Sequence, residues 1–363
     1  MKKFIINVAL LFMTLAFIVV GINYSIDASG VITPGPYYDM ARLILSGNIV
    51  AAPSNYNERL YQVAVIEEMK SIPDTIVIGS SRGMFLGEEI TGYKKLYNNC
   101  ISGASIEDYY AILSLYDTKF SKLPQRVIIE TSPWIFYKYN PESRWQEQYA
   151  YASAAKELYR LINGKELNIN RSGENPYTSI PYFRHNLEVL IRDGIAAFKR
   201  KAPRISTNTS EAADYPDGSI RYAAHLENES EERLQDVQNT KGVVTYQDSN
   251  NMTGLDKKKI SDYENMLNFL LSQNIEVVIY MQPFSVTQCH YSFDEGLNAV
   301  FLEAERYLHG LGVKSDVKII GGFDARDFGL SDERFIDFMH LDKKGTKIVW
   351  EFNNLVRGGK AKE

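Results

Sequence analysis

Five short runs of apolar or β-branched residues, without polar alternation, recur along the chain. Such runs are typical of strands that are buried on both faces of a parallel sheet. They predict strands at 75–78, 95–98, 126–131, 276–281 and 317–320. Residues with helical apolar spacing predict helices at 56–71, 106–116, 255–272, 294–311 and 342–355. This alternation predicts an α/β protein, a three-layer sandwich whose five parallel strands take the flavodoxin-like order 2-1-3-4-5.

One long segment, 137–251, interrupts the alternation after the third predicted strand. It is rich in Tyr, Asn, Arg and Glu and carries helix-like runs at 146–162 and 183–201. We interpret it as a large, mainly helical insertion that overhangs the carboxyl edge of the sheet, with disorder as the alternative for 205–239. The core of the fold then comes from two pieces of sequence, 58–136 and 252–363.

The amino-terminal pattern differs, because residues 4–22 are almost wholly apolar. A helix of this length, at about 1.5 Å per residue, covers roughly the 30 Å hydrocarbon core of a bilayer. Lys2 and Lys3 precede the run, so we expect the amino terminus in the cytoplasm and the remainder outside. A cleaved signal peptide is the alternative. The poor cleavage site around Gly21 favours a retained transmembrane anchor at 1–25.

The segment between the anchor and the core, 26–57, contains Pro34, Pro36 and Pro53 and several glycines. Proline and glycine interrupt regular structure. Since only one short helix is predicted, at 38–45, we interpret 26–57 as a stalk.

The composition is that of an ordinary globular protein, with 363 residues of which 45% are hydrophobic and 23% charged. The net charge of −5 is interspersed along the chain and gives no basic patch, so nucleic-acid binding is not expected. The two cysteines, Cys100 and Cys289, are too few for a disulfide framework, and we expect free thiols. Cys289 is followed by His290, but no second Cys/His cluster occurs in the sequence, so we expect no metal and no other cofactor.

Candidate catalytic residues lie where loops leave the carboxyl edge of the predicted sheet. Ser81 follows the first strand, at the place where open α/β sheets bind ligands. A serine that caps a helix is the ordinary explanation of such a turn. Asp337 and His340, however, lie before the last helix on the same edge, and a serine nucleophile needs a histidine base and a carboxylate that orients it.

These positions resemble the SGNH (GDSL-type) hydrolase superfamily. The resemblance is carried by Gly79-Ser80-Ser81, Gly103, Ser132 and Asp337-x-x-His340 before a terminal helix. It implies that Ser81 is the nucleophile, His340 the general base and acid, and Asp337 the orienting carboxylate. It also implies that the main-chain N–H groups of Ser81 and Gly103 face the oxyanion. The hydroxyl of Ser132, or that of Thr131, is a candidate further donor.

Two positions depart from the superfamily pattern, since Ser80 replaces the usual aspartate and Ser132 the usual asparagine. With these departures the chain is similar to a membrane-anchored, extracytoplasmic branch that works beside a multi-pass membrane O-acyltransferase, as in lipoteichoic acid D-alanylation and alginate-type O-acetylation. This similarity implies transfer or removal of acetyl-type or D-alanyl-type O-acyl groups on a cell-envelope polysaccharide or teichoic-acid-like polymer. Transferase and esterase share the first half-reaction, so both remain open.

Other interpretations stay open beside this one. A catalytically weakened scaffold that binds a glycan or docks on a membrane O-acyltransferase fits the two departures. A nucleotide-binding flavodoxin-like domain lacks any G-x-G-x-x-G or Walker pattern in the right place. Arg82 is a candidate ligand for an anionic substrate group, or a partner of Glu88 or Glu107. His290 is a candidate rival base, and the aromatic clusters at 109–110, 134–139 and 149–151 are either sugar-stacking platforms or core.

Overall fold

The computed structural model describes residues 1–28, 30–52, 56–137, 142–169, 175–198, 202–239, 254–296 and 298–359. The strands are β1 (Val50–Ala51), β2 (Thr75–Ile78), β3 (Leu96–Asn98), β4 (Arg126–Glu130), β5 (Ala213–Asp214), β6 (Ile220–Arg221), β7 (Glu276–Met281) and β8 (Val317–Gly321). The α-helices up to residue 193 are α1 (Lys2–Ile26), α2 (Gly35–Leu45), α3 (Glu58–Glu68), α4 (Glu88–Thr91), α5 (Ile106–Phe120), α6 (Tyr149–Asn163) and α7 (Ile180–Asp193). The later ones are α8 (Ala224–Glu227), α9 (Glu231–Asn239), α10 (Lys257–Ser272), α11 (Val286–Cys289), α12 (Ala299–Lys314) and α13 (Lys343–Gly359).

Five of these strands form one parallel sheet in the order β3-β2-β4-β7-β8. The four residues of β2 are all buried, as are the last four of β4, which explains why these strands carry apolar residues on both faces. The predicted α/β class, strand positions and strand order are therefore confirmed. The carboxyl ends of all five strands meet at one edge of the sheet.

Helix boundaries are confirmed less closely than strands. The last long helix before β8 begins at Ala299, five residues later than predicted, because a single π-helical turn occupies His290–Asp294. A buried polar cluster stabilises this turn, since Gln288 donates to the hydroxyl of Ser292 at 2.6 Å and Asn298 donates to it at 3.2 Å. The second helix predicted in the insertion ends earlier, at Asp193, and its last predicted residues, 199–201, lie outside the described part of the chain.

The predicted stalk is largely part of the folded domain. Helix α2 packs on α3 and buries Tyr37, Met40 and Ile44. Strand β1 then pairs antiparallel with β5 from the insertion. Residues 35–51 therefore belong to the core, because their apolar side chains need the same burial as those of the helices that follow.

Residues 202–239, which include the segment with disorder as the alternative, contain β5, β6, α8 and α9 in the structure. We call 202–239 the cap. Its hairpin of β5 and β6 is attached to the core by two main-chain hydrogen bonds. Ile220 donates its N–H to the carbonyl of Met84 at 3.2 Å, and the main-chain carbonyl of Asp217 accepts the N–H of Asn98 at 2.7 Å. The cap thus covers the carboxyl edge of the sheet, as predicted for the insertion.

Helix α1 is long and apolar enough to cross a membrane, with a mean hydropathy of 2.7 over its best 18-residue window. None of that window is buried against the rest of the chain. The only buried residues of α1 are Asn23 and Ile26, close to its carboxyl end. This is consistent with a single-pass anchor.

Candidate active site

The turn after β2 presents Ser81 at the carboxyl edge of the sheet. Gly79 has a φ of +155°, and a Cβ at this position would lie 2.4 Å from the Cβ of Glu130, so only glycine fits. Ser80 is fully buried and donates its N–H to Glu130 at 2.7 Å. A single 3₁₀ turn, Ser81–Gly83, follows at once and turns the half-buried Ser81 outward.

Three predicted residues meet at this edge. The hydroxyl of Ser81 lies 2.7 Å from Nε2 of His340, across 259 positions of sequence. Nδ1 of the same ring lies 2.7 Å from Oδ2 of Asp337. The other carboxylate oxygen accepts the N–H groups of Met339 and His340, at 2.8 Å each. This is the geometry of a nucleophile, a base and an orienting acid.

The electrostatics of the pair favour a charged Asp337. Burial alone would raise the pKa of Asp337, but hydrogen bonds from the imidazole and from two main-chain N–H groups, with the positive charge of a protonated ring, outweigh it. The pKa of Asp337 is therefore held below its ordinary value. A carboxylate that stays ionised keeps a proton on Nδ1 of His340 and leaves Nε2 free to accept one from Ser81.

The predicted oxyanion donors divide into two groups. Among the described residues, the hydrogen bonds give no acceptor to the main-chain N–H of Ser81 or of Gly103. Gly103 has a φ of +62°, a left-handed conformation that favours glycine, and a Cβ there would lie 2.5 Å from Nη2 of Arg144. Both N–H groups therefore remain candidate donors to a substrate oxygen.

Ser132 is placed differently from the expectation. It is fully buried, and its hydroxyl donates to Oε1 of Glu130 at 2.6 Å. Its neighbour Thr131 shares a 2.7 Å hydrogen bond with the hydroxyl of Tyr263, on the far side of the strand end. In this arrangement the proton of Ser132 is used by Glu130, so its contribution is to support the turn rather than to face the oxyanion.

Glu130 is a residue that the sequence interpretation missed. Its side chain is fully buried and bridges the N–H of Ser80 and the hydroxyl of Ser132. A carboxylate accepting two hydrogen bonds in this place links the ends of β2 and β4, the two central strands of the site. The signal was present, because an acidic residue at the end of a fully apolar strand needs polar partners.

Arg82 also differs from both expectations. Glu88 and Glu107 pair with Lys94 and Lys259, whereas Arg82 is 1% exposed and lies over the ring of Phe284, 4.1 Å from its centroid. Its guanidinium donates to the carbonyls of Met339 at 3.2 Å, Pro283 at 3.2 Å and Gln282. Because Met339 precedes His340, Arg82 joins the turn that carries Ser81 to the loop that carries His340.

The cap borders the site from outside. Tyr222 packs edge-on against Phe85, with ring centroids 5.4 Å apart. Glu229 pairs with Lys344 at 3.0 Å and with Arg334, and these cations lower the pKa of Glu229 to about 2. A cavity of about 360 Å³ remains between cap and core, lined in part by Phe85, Glu88, Tyr215, Asp217, Ser219 and Lys343. Its lining includes Leu96 at the start of β3 but no residue of the turn 79–83, so the cavity is separate from the Ser81 and His340 pair.

The remaining candidates lie elsewhere. His290 is 58% exposed and pairs with Asp294 at 3.2 Å, whereas Ser81 pairs with His340. Cys100 and Cys289 are buried free thiols, as predicted. No group of three or more metal-ligating side chains occurs in the part of the chain that the structure describes. The aromatic clusters are mostly core, since Tyr109, Tyr110, Trp134, Phe136 and Tyr151 are buried, whereas Tyr149 is exposed.

No protein-family model matches the chain, and no curated protein does. The functional conclusion therefore depends on the fold and on the geometry around Ser81.

Proposed function

We propose that the protein is a membrane-anchored serine esterase or acyltransferase of the SGNH type, with its catalytic domain outside the cytoplasm. One observation carries the proposal: the Ser81 hydroxyl, the His340 ring and the Asp337 carboxylate form an unbroken chain with 2.7 Å at each link. A serine that only caps a helix does not need a histidine at its hydroxyl. A histidine with a purely structural role does not need a serine on one ring nitrogen and a carboxylate on the other.

In the first half-reaction, Oγ of Ser81 attacks the carbonyl carbon of an ester or thioester, and its proton moves to Nε2 of His340. The carbonyl electron pair moves onto oxygen, where the N–H groups of Ser81 and Gly103 stabilise it; such donors contribute about 2.7 to 4 kcal/mol each. Collapse breaks the bond to the leaving alcohol or thiol, which takes the proton from His340. The product is an acyl group on Ser81.

In the second half-reaction, His340 removes a proton from water or an incoming hydroxyl, whose oxygen attacks the acyl carbon. The bond to Oγ of Ser81 then breaks, and Oγ takes the proton back from His340. Water gives an esterase, and a sugar or polyol hydroxyl gives a transferase.

The polymer substrate and the protein partner are proposed from the sequence resemblance and from the membrane anchor α1. The sequence is similar to the branch that works beside multi-pass O-acyltransferases, and α1 can anchor the protein in the membrane. Both features fit the transfer or removal of O-acyl groups, of the acetyl or D-alanyl type, on a cell-envelope polysaccharide or teichoic-acid-like polymer. We infer that a multi-pass acyltransferase supplies the acyl group. Lys2 and Lys3, before the apolar run, favour a cytoplasmic amino terminus.

An activated ester, such as 4-nitrophenyl acetate, tests the chemistry on the full chain in detergent or nanodiscs. Ser81→Ala and His340→Ala are expected to lower turnover by at least about 10³-fold. His290→Ala is the matched control, because His290 is exposed and lies outside the site, and it should leave turnover unchanged. Undiminished turnover in the Ser81 and His340 variants would end the triad assignment.

A scaffold without catalysis is the second candidate, and one observation favours it. The hydroxyl of Ser132, where the superfamily has an oxyanion amide, donates to Glu130. A fluorophosphonate probe separates the two functions, since an activated Ser81 reacts covalently and a scaffold serine does not. Absence of labelling together with absence of turnover in the unaltered protein would favour the scaffold.

A further inference from the structure

Exposed apolar side chains outside α1 concentrate in one short part of the insertion. Of the large ones in the described residues, six fall within 177–205: Tyr177, Ile180, Ile191, Ile195, Phe198 and Ile205. Most of them lie on α7 and on the 3₁₀ segment Gly194–Phe198 that continues it. We call Ile180–Phe198 the foot. A concentration of this kind marks an interaction surface rather than ordinary surface composition.

The foot is joined to the membrane anchor by buried hydrogen bonds. Asn23 of α1 donates to the carbonyls of Pro176 at 2.9 Å and Ser179 at 3.1 Å. Asn186 of α7 donates to Asn23 at 3.1 Å and accepts the N–H of Ala28 at 2.9 Å. Both asparagine side chains are fully buried, so separating the two helices would leave several polar groups unpaired.

The foot also stays close to α1 at both of its ends. It begins beside Asn23, only three residues before α1 ends, and the 3₁₀ segment at its far end also contacts α1. Val19 and Val20, at the carboxyl-terminal end of the apolar run, are half-buried. The foot therefore lies beside the end of the membrane span that is nearest to the folded domain.

We propose that the foot lies in the boundary between headgroups and acyl chains of the bilayer that α1 crosses. Ile191 is 76% exposed and Ile195 83% exposed, beside a part of α1 that itself belongs to the apolar span. Lipid covers such side chains, while neighbouring polar groups such as Arg192, paired with Asp193 at 2.7 Å, reach the headgroups. With α1, the foot gives the folded domain two membrane contacts and thereby a defined height and tilt.

Nitroxide labels on the full chain in phosphatidylcholine vesicles test the proposal, in a background with Cys100 and Cys289 replaced by alanine. Labels at Ile191→Cys and Ile195→Cys should collide readily with oxygen and several-fold less with a water-soluble nickel chelate than labels at the control sites. The matched controls are Val313→Cys and Leu161→Cys, which replace apolar residues that are 88% and 68% exposed on α12 and α6.

Equal access of the nickel chelate to the foot and to the control sites would overturn the proposal. Protection that appears only after a second membrane protein is added would overturn it too, in favour of a protein partner. Vesicles that also contain anionic phosphatidylglycerol should give the same protection. The measurement does not involve turnover, so its outcome is separate from that of the Ser81 chemistry.

Discussion

Asp337 holds the His340 imidazole by three hydrogen bonds, one to the ring and two to the main chain of the same turn. Asp337→Asn keeps the size of the side chain but favours the wrong tautomer of the imidazole. We expect turnover of an activated ester to fall by about 10⁴-fold, as where a triad carboxylate is lost. Steady-state kinetics at neutral pH check this, and a loss of less than tenfold would contradict the role of Asp337.

The lowered pKa of Asp337 also links stability to pH. Since the folded state favours the carboxylate, its contribution to the free energy of unfolding is fully present above the unfolded pKa, about 3.9, and is lost as pH falls through the lower folded pKa. The difference in urea midpoint between the unaltered protein and Asp337→Asn should therefore be largest near pH 7 and shrink below pH 4. A difference that grows with acidity would contradict the sign.

Arg82 places the base by its contacts with main-chain carbonyls, and a lysine cannot reproduce them. We expect Arg82→Lys to lose about 2 to 3 kcal/mol of unfolding free energy, because buried carbonyls lose charged donors. Turnover should fall about 10- to 100-fold with little change in KM, since the loop of His340 shifts. Arg326→Lys is the control, as Arg326 is 40% exposed in surface ion pairs. Equal effects of the two substitutions would contradict a positioning role for Arg82.

At the residue scale, the sequence predicted the three groups that converge but not those that hold them. Ser81, Asp337 and His340 could be found because each needs the others chemically and each follows a strand. The support by Glu130 and Arg82 depends on which side chain is buried against which backbone carbonyl. Such packing across distant segments leaves no spacing in the sequence, and so Arg82 was assigned partners that the structure gives to lysines.

Among the elements, the loop after β3 offers a paired test of the oxyanion site. Gly103 and Gly164 have nearly the same left-handed φ, +62° and +63°, so alanine at either should lose about 1 to 2 kcal/mol of stability. Only at Gly103 would the new Cβ meet a neighbour, Arg144, at 2.5 Å. We expect Gly103→Ala to lower turnover by about 10²-fold or more, through displacement of its N–H, and Gly164→Ala to leave turnover unchanged.

Steady-state kinetics measure the turnover of both variants, and urea unfolding measures their stability. A Gly103→Ala protein with normal turnover would remove this loop from the oxyanion site. A Gly164→Ala protein with reduced turnover would show that backbone strain alone is responsible.

The elements themselves were predictable in proportion to how fully they are buried. The strands of the parallel sheet were found because two-sided burial demands continuous apolar runs. The two-residue strands β1 and β5 were not, since their pairing joins positions 50–51 to 213–214 and neither run is long enough to show a pattern. The segment predicted as a stalk contains β1, and the segment with disorder as the alternative contains β5. Each strand forms by pairing with the other, so neither segment shows a strand pattern by itself.

For the whole molecule, the cap is attached beside the carboxyl edge of the sheet by a small number of polar contacts. Arg233 of the cap is 7% exposed and donates to the carbonyls of Glu227 within the cap, at 2.9 Å, and of Glu333 in the core, at 2.6 Å. Together with the ion pairs of Glu229, this attaches α9 beside the loop that leads to Asp337. The cap is small and polar, so its attachment depends on a few such contacts rather than on a large apolar core.

Arg233→Ala should therefore loosen the cap without unfolding the sheet. Removing its donors is expected to lower the local opening free energy by about 1 to 3 kcal/mol, so amide exchange in 213–239 becomes roughly 5- to 150-fold faster while β2, β4 and β7 keep their protection. Hydrogen exchange by mass spectrometry measures both. Arg204→Ala is the control in the same segment, because Arg204 is 61% exposed and its pair with Glu211 should contribute little. Faster exchange throughout the parallel sheet would mean that the cap is an integral part of the core and cannot open independently to admit a polymer chain.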